Sequence, residues 1–444
     1  MRINRLRLHN FKKFDEAVFQ FHPEFTVLIG DNATGKTSIL DALAILLGTY
    51  LLRSEISTGR SGFGKDDVRL IVTEKKGQVF LEPQKEAFIE TEAIFRKKNF
   101  NWKRYPGDRG GAAKPLIDVG AADFNDISKE KEIDLPVLLY YGAGRLWSTH
   151  RDVEIGKPES RLVGYRNCLD PKSDQYLFEK WFKQLELAAL QQGKSIPALE
   201  VVRSAVKTCI PDSEHFYYDV ANDQLMIRFC KTGLMPFDNL SDGYRNMLGM
   251  VADIAHRLSR LNPHQGVNAA EKGTGVVLID EIDLHLHPKW QRRVVRDLQK
   301  AFPALQFIAT THSPFILQSL DPGEVIDLNR SLVAQEYSDA INDFAAPPPA
   351  DSFSNRSIED IVETVMGVSL PQRSDRYQKM YEVAKEYYMI LQQAKSADFS
   401  RKKEIKQRLD ELSAPFSDNV AYHAFLEMER LAAGLGCTNK LEEK

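Results

Sequence analysis

Nine consecutive residues, Gly30-Asp31-Asn32-Ala33-Thr34-Gly35-Lys36-Thr37-Ser38, hold the most specific chemistry in the sequence. They fill every fixed position of G-x-x-x-x-G-K-[ST], a loop whose backbone N–H groups cradle phosphates. Gly30 and Gly35 permit backbone conformations and a close phosphate approach that a Cβ would obstruct. Lys36 brings a flexible point charge to the β- and γ-phosphates, and the Thr37 hydroxyl is a ligand for Mg²⁺. The pattern predicts a nucleoside triphosphate site. Far downstream, Val276-Val277-Leu278-Ile279 runs into Asp280-Glu281. An apolar strand ending in two carboxylates delivers Asp280 to Mg²⁺ and places Glu281 to polarise an attacking water. Thr310-Thr311-His312-Ser313 ends a further apolar run, and His312 there can reach the γ-phosphate or that water.

The elements that must position these groups are legible beside them. Phe25–Ile29 is a short β-branched and aromatic run, the expected buried strand, and Ser38–Leu47 is a helix rich in Ile, Leu and Ala. Strand, glycine loop and helix aim a helix N-terminus at an anion. In Leu240-Ser241-Asp242-Gly243, Ser241 or Asp242 can cap a helix whose apolar face is Met247, Val251, Ile254 and Leu258. Pro288 is a favoured first residue for a helix carrying Trp290, Val294, Val295 and Leu298 on one face. His285 and His287 alternate in the turn before it, which by itself does not define a metal site. Pro136–Tyr141 is another buried strand, stopped by Gly142-Ala143-Gly144-Arg145; Arg145 suits either a phosphate or interface contact or a structural ion pair.

The rest of the chain sets limits. At 444 residues there is room for two or three domains, and the net charge of −3 gives no bulk signal of nucleic-acid binding. Cys168, Cys209, Cys230 and Cys437 are scattered without a C-x-x-C pair, as expected of reduced thiols in the cytoplasm. No apolar run approaches the roughly 20 residues that span a bilayer, and no signal peptide is read at Met1, so a soluble cytoplasmic protein is expected. Ile3–Leu8 and Ala17–Phe21 read as a hairpin; Val79–Glu82, Ala87–Phe95 and Asn101–Tyr105 read as antiparallel strands, turning at 97–99. Gly59–Lys65 reads as a mobile, solvated loop, with contact to nucleotide or partner as the alternative, and residues 106–134 as a loop. Gln175–Gln191 and Ala198–Cys209 read as helices, and Phe216–Val220 with Leu225–Phe229 as a hairpin.

The order of glycine loop, LSDG, apolar-Asp-Glu and Thr-His-Ser resembles an ABC-type ATPase head of the SMC-like, RecF-like and OLD-like class. The opening Arg-Leu-His-Asn-Phe-Lys-Lys-Phe, Asp-Glu-Ile-Asp-Leu-His-Leu-His-Pro and the segment at 139–147 are similar to stand-alone ATPases of bacterial antiphage defence. Septu-type systems, in which the ATPase works with an HNH nuclease, are the nearest suggestion. The resemblance covers about residues 1–330 and implies an α/β P-loop NTPase fold with an antiparallel β subdomain and a short helical insertion. It further implies a homodimer or higher homo-oligomer, ATP and Mg²⁺ as cofactors, an effector such as an HNH nuclease, DNA as a further candidate partner, and no membrane. Each ATP would lie between Gly30–Thr37 of one chain and Ser241 and Gly243 of another, with Glu281 as base and His312 as switch. Two departures stand out: no long coiled coil interrupts the head, and the glutamine that normally follows a mid-lobe strand is not found near Ala143 and Arg145.

The domains expected are an N-terminal ATPase lobe at 1–145, a helical insertion at 146–213 and a C-terminal lobe at 214–340. After Ala345-Ala346-Pro347-Pro348-Pro349-Ala350, a linker composition, a helical assembly module is expected at 351–444. It would start at a capping box on Ser357, with helices at about 373–394, 400–412 and 419–435. A regulatory ATPase controlling a nuclease is the leading reading. A RecF-like DNA clamp and a transporter subunit are the alternatives, and no intrinsic nuclease is expected because no acidic cluster follows His312.

Overall fold

Runs of apolar residues with two different patterns build two kinds of sheet. In chain order the strands of the computed structural model are β1 (Arg2–Phe11), β2 (Phe14–Gln20), β3 (Phe25–Ile29), β4 (Leu70–Lys75), β5 (Gln78–Pro83), β6 (Phe88–Phe95) and β7 (Lys98–Arg104). They continue with β8 (Val137–Tyr141), β9 (Ser213–Asp219), β10 (Gln224–Phe229), β11 (Gly233–Pro236), β12 (Gly275–Ile279), β13 (Leu305–Thr310) and β14 (Val325–Asp327). The structure describes residues 1–59, 62–75, 78–108, 110–145, 160–171, 175–329, 353–368, 374–394, 399–416, 418–432 and 435.

β3, β8, β12 and β13 are buried at every position, the pattern of strands covered on both faces. They form an all-parallel sheet with the order β14-β3-β13-β12-β8. Its register sets Ile279 beside Tyr141 and Ala309, and Thr310 beside Leu28. The glycine loop, Gly142, Asp280 and Thr311 therefore leave the sheet along one edge. Helix α1 (Lys36–Gly48) is buried along nearly its whole length and packs on β8, β12 and β13.

β1 alternates buried and part-exposed residues, as a strand with one wet face must. It lies inside the antiparallel sheet β2-β1-β6-β7, whose open face carries the ion pairs Arg5–Glu92 at 2.9 Å, Arg7–Glu16 at 2.6 Å and Lys103–Glu90 at 3.2 Å. The buried Gln306 of β13 joins the two sheets. Its Oε1 accepts from the Ile3 amide at 2.7 Å, and its Nε2 donates to the Ile3 carbonyl at 2.8 Å.

Three expectations need correction. Residues 106–134 are not a loop throughout, because helix α2 (Lys114–Ser128) lies within them, with Pro115 in its first turn. Its buried face is Leu116, Ile117, Gly120 and Asp123, so a glycine and a carboxylate interrupt the apolar period. Asp123 is satisfied there by Tyr50 Oη and Arg96 Nη1, both donating at 2.7 Å. Second, the strand around Val79 pairs with the unexpected β4 as a separate two-stranded hairpin. Third, the helix beginning at Pro288 is broken into two.

Among the described residues of the first unit, further helices are α3 (Gln175–Gln192), α4 (Pro197–Cys209), α5 (Asp242–Leu261), α6 (Ala269–Lys272), α7 (Pro288–Gln291), α8 (Val294–Ala301) and α9 (Pro314–Leu317). The chain divides into two compact units, Met1–Ile361 and Val362–Lys444. Helices Asp375–Ala394, Phe399–Ser413 and Val420–Ala432 of the second unit close over Tyr387, Leu391, Ile405, Leu409 and Leu426. Ser357 Oγ accepts from the Asp360 amide at 3.1 Å, one half of the expected capping box. Arg60, Ser61, Leu146, Trp147, the linker Ala345–Ala350 and Cys437 lie outside the described residues. Among the described residues no helix is long and apolar enough to cross a membrane.

Candidate nucleotide-binding site

The glycine loop is shaped by the residues the motif requires. Gly35 begins α1 with φ 99°, a left-handed conformation, and a Cβ on it would stand 2.6 Å from Phe14 Cζ. Ala33 also has positive φ, and its carbonyl accepts from Lys13 Nζ at 2.7 Å. Thr34 Oγ1 donates to the Asp31 carbonyl at 2.9 Å, so the turn is tied to itself. Asp31, Asn32, Ala33 and Thr37 are exposed, and Ser38 is half-buried on the first turn of α1. Lys36 is 9% exposed and curls back, donating through Nζ to the carbonyls of Gly30 at 2.8 Å and Asp31 at 2.9 Å. Burial pushes its pKa down, while the Asp280, Asp31 and Glu281 carboxylates hold it up.

Residues distant in sequence meet this loop. Thr37 Oγ1 donates to Asp280 Oδ2 at 3.0 Å, and Thr310 Oγ1 donates to Asp280 Oδ1 at 2.7 Å. The Glu281 amide donates to Thr310 Oγ1 at 2.7 Å, closing a chain from the glycine loop to the main chain of the second acidic residue. A threonine hydroxyl and a carboxylate converging from a loop and a strand end are hard oxygen donors. They fit Mg²⁺, which takes one or two protein ligands beside phosphate oxygens. Among the described residues no group of three His, Cys, Asp or Glu side chains could hold a metal. His287 instead caps α7, its Nδ1 accepting from the Lys289 amide at 3.2 Å.

Asp280, Glu281, Lys36 and Thr37 are thus brought together; the other expected residues stand apart. His312 is exposed between two anchored neighbours: Thr311 Oγ1 donates to Asp283 Oδ1 at 2.5 Å and Ser313 Oγ to Gln291 Oε1 at 2.7 Å. Among the described residues no hydrogen bond joins the His312 ring to Lys36 or Glu281. Ser241 occupies the cap position of α5, but its side chain makes no capping bond, which corrects that expectation, and it is exposed. No described hydrogen bond joins Ser241 or Gly243 to the glycine loop of the same chain.

Three contributors escaped sequence reading. Thr310 looked like an ordinary strand residue, although its position opposite the carboxylate strand could have singled it out. Asn329, just past β14, accepts from the Asp31 amide at 3.2 Å and carries no local signal. Arg145 was left open, and its guanidinium proves to be buried against backbone carbonyls behind Asp280 and Glu281.

Comparison with known proteins adds a second line. An "AAA domain" family model matches residues 5–205, and another, "AAA domain, putative AbiEii toxin, Type IV TA system", matches residues 229–318. The chain is 27% identical to the Retron Ec83 probable ATPase of Escherichia coli, over 72% of this chain and 70% of that one. It is 24% identical to the Septu protein PtuA of Bacillus mycoides, over 93% of this chain and about half of that protein's length, 50%. Among solved structures, an SMC head bound to the C-winged helix domain of ScpA covers 74% of this chain and 94% of its own, at 15% identity and a TM-score of 0.42. With AAA domain models matching two stretches of the chain, a probable ATPase among its relatives over most of its length, and Lys36, Thr37, Asp280 and Glu281 gathered at the ends of neighbouring strands, the chain is similar to P-loop ATPases.

Proposed function

We propose that two copies of this chain clasp ATP between them and that hydrolysis regulates a separate effector, a nuclease such as an HNH enzyme, in bacterial antiphage defence. The observation that carries the ATPase part is the chain of contacts Thr37–Asp280–Thr310–Glu281, which joins a phosphate loop to the backbone of the residue proposed as base. The backbone of Gly30–Ser38 and Lys36 Nζ hold the phosphates; Lys36 exchanges its two loop carbonyls for phosphate oxygens. Thr37 and Asp280 would hold Mg²⁺, and the ion would supply neutralisation of phosphate charge. Glu281 accepts the proton of the attacking water, and His312 contacts the γ-phosphate side.

Ser241 and Gly243 of the second copy complete the site. An exposed serine at the start of a 20-residue helix, not spent on capping its own chain, supports that role. The retron and Septu relatives support the defence setting, and control of a nuclease is proposed from the Septu resemblance alone. In the test, Glu281→Gln is mixed with ATP and Mg²⁺ and its mass distribution recorded. A nucleotide-dependent dimer that Ser241→Arg abolishes is expected. A monomer that binds ATP fully on its own would reject the sandwich.

A further inference from the structure

Arg145 follows β8 and is 5% exposed. Its Nη1 donates to the carbonyls of Gly142 at 3.0 Å and Asp280 at 2.7 Å, its Nη2 to the carbonyl of Glu281 at 3.0 Å, and its Nε to Asn246 Oδ1 at 2.5 Å. Asn246 lies on the first turns of α5, shortly after Gly243, and its Nδ2 donates to the Leu284 carbonyl at 3.1 Å. Gly243 itself sits so near this turn that a Cβ on it would stand 2.4 Å from the His285 carbonyl oxygen. The start of α5 and the turn after Asp280 therefore lie against each other, with the guanidinium bridging them.

Burying a charged side chain costs free energy, and a planar fork of fixed donors offsets it only when its acceptors stay in place. Burial lowers the Arg145 pKa to about 10, opposed by the carboxylates of Asp280, Glu281 and Asp283. Glu281 also has φ 50°, a conformation uncommon for a residue other than glycine, and persists in it between Arg145 on its carbonyl and Thr310 on its amide. Any tilt of α5 must pull on Asn246, then on Arg145, then on the peptide that aims Glu281.

We infer that Arg145 is a positioning residue that couples the helix carrying Ser241 and Gly243 to the strand end carrying Asp280 and Glu281, so that nucleotide bound at one is registered at the other. The inference rests on the proposed ATP site and extends it, because Arg145 need touch neither phosphate nor water. A lysine cannot reproduce it, since a single ammonium does not span these acceptors.

The test uses the full chain with Arg145→Lys, Asn246→Leu and both together. Two readouts are taken: steady-state ATP hydrolysis, and amide hydrogen exchange at residues 242–248 with and without ATP and Mg²⁺ in the Glu281→Gln background. ATP affinity within threefold of the parent, kcat lowered ten- to a hundredfold with little change in KM, and a double variant no slower than the worse single are expected. The ATP-dependent change in exchange should vanish in Arg145→Lys. A kcat within twofold, losses that multiply in the double variant, or an undiminished exchange response would overturn the coupling. If Arg145→Lys does not fold, Asn246→Leu carries the same kcat and exchange criteria. A parent chain that fails to bind ATP sinks the proposed site and this inference together; intact binding with an undisturbed exchange response sinks only this inference.

Discussion

Lys36 is held at its post by the loop it serves, since its ammonium bonds to two of that loop's own carbonyls. Lys36→Ala removes the charge opposite the phosphates and should abolish ATP binding in calorimetry while leaving the fold intact. A second residue, His256 on α5, makes stability depend on pH. It is buried against Trp181, with ring centroids 4.2 Å apart, and burial pushes its pKa down from 6.5 to about 4. The unfolded chain therefore takes up the proton first: the contribution is complete above about pH 6.5 and is lost as pH falls towards 4. A loss of about 1–3 kcal/mol in the urea unfolding free energy between pH 7 and pH 4.5 is expected, flattened in His256→Phe. At this scale the sequence was readable where chemistry is local: glycines, lysine and threonine of the loop announce themselves by spacing. Thr310, Asn329 and the brace on Arg145 were hidden because their partners are distant in sequence and become neighbours only through sheet order.

The strands buried on both faces were legible as short apolar runs, and the hairpin of β1 and β2 as alternation. Helix α2 was hidden because Gly120 and Asp123 occupy its buried face, a pattern that mimics a polar loop. Gly120 is there for closeness: a Cβ would lie 2.1 Å from the Tyr50 carbonyl oxygen. Gly120→Ala should push α2 off this neighbour and cost about 1–3 kcal/mol, seen as a lowered melting temperature. β4 and β5 escaped for another reason. Among the described residues they pair with each other alone and expose Leu70, Val72, Val79 and Leu81, so no core imposed a face on their pattern. The break between α7 and α8 falls at Arg292 and Arg293, which read equally well as helix.

At the scale of the whole molecule, the helices beyond Val362 form a unit with its own apolar core. An assembly role for this unit is a proposal that truncation tests. Ending the chain at residue 368 should preserve ATP binding and reduce oligomer mass or effector capture in light scattering and pull-down; unchanged values in both would remove that role.

The order β14-β3-β13-β12-β8 has a bearing on synthesis. A ribosome releases β3 and its glycine loop early, yet both strands that flank β3 belong to the far end of the first unit. Until those arrive, the nascent chain carries an apolar strand with two open edges, the kind of segment that holdase chaperones protect from aggregation. The two strands that close the edges of β3 are the last of this sheet to be made.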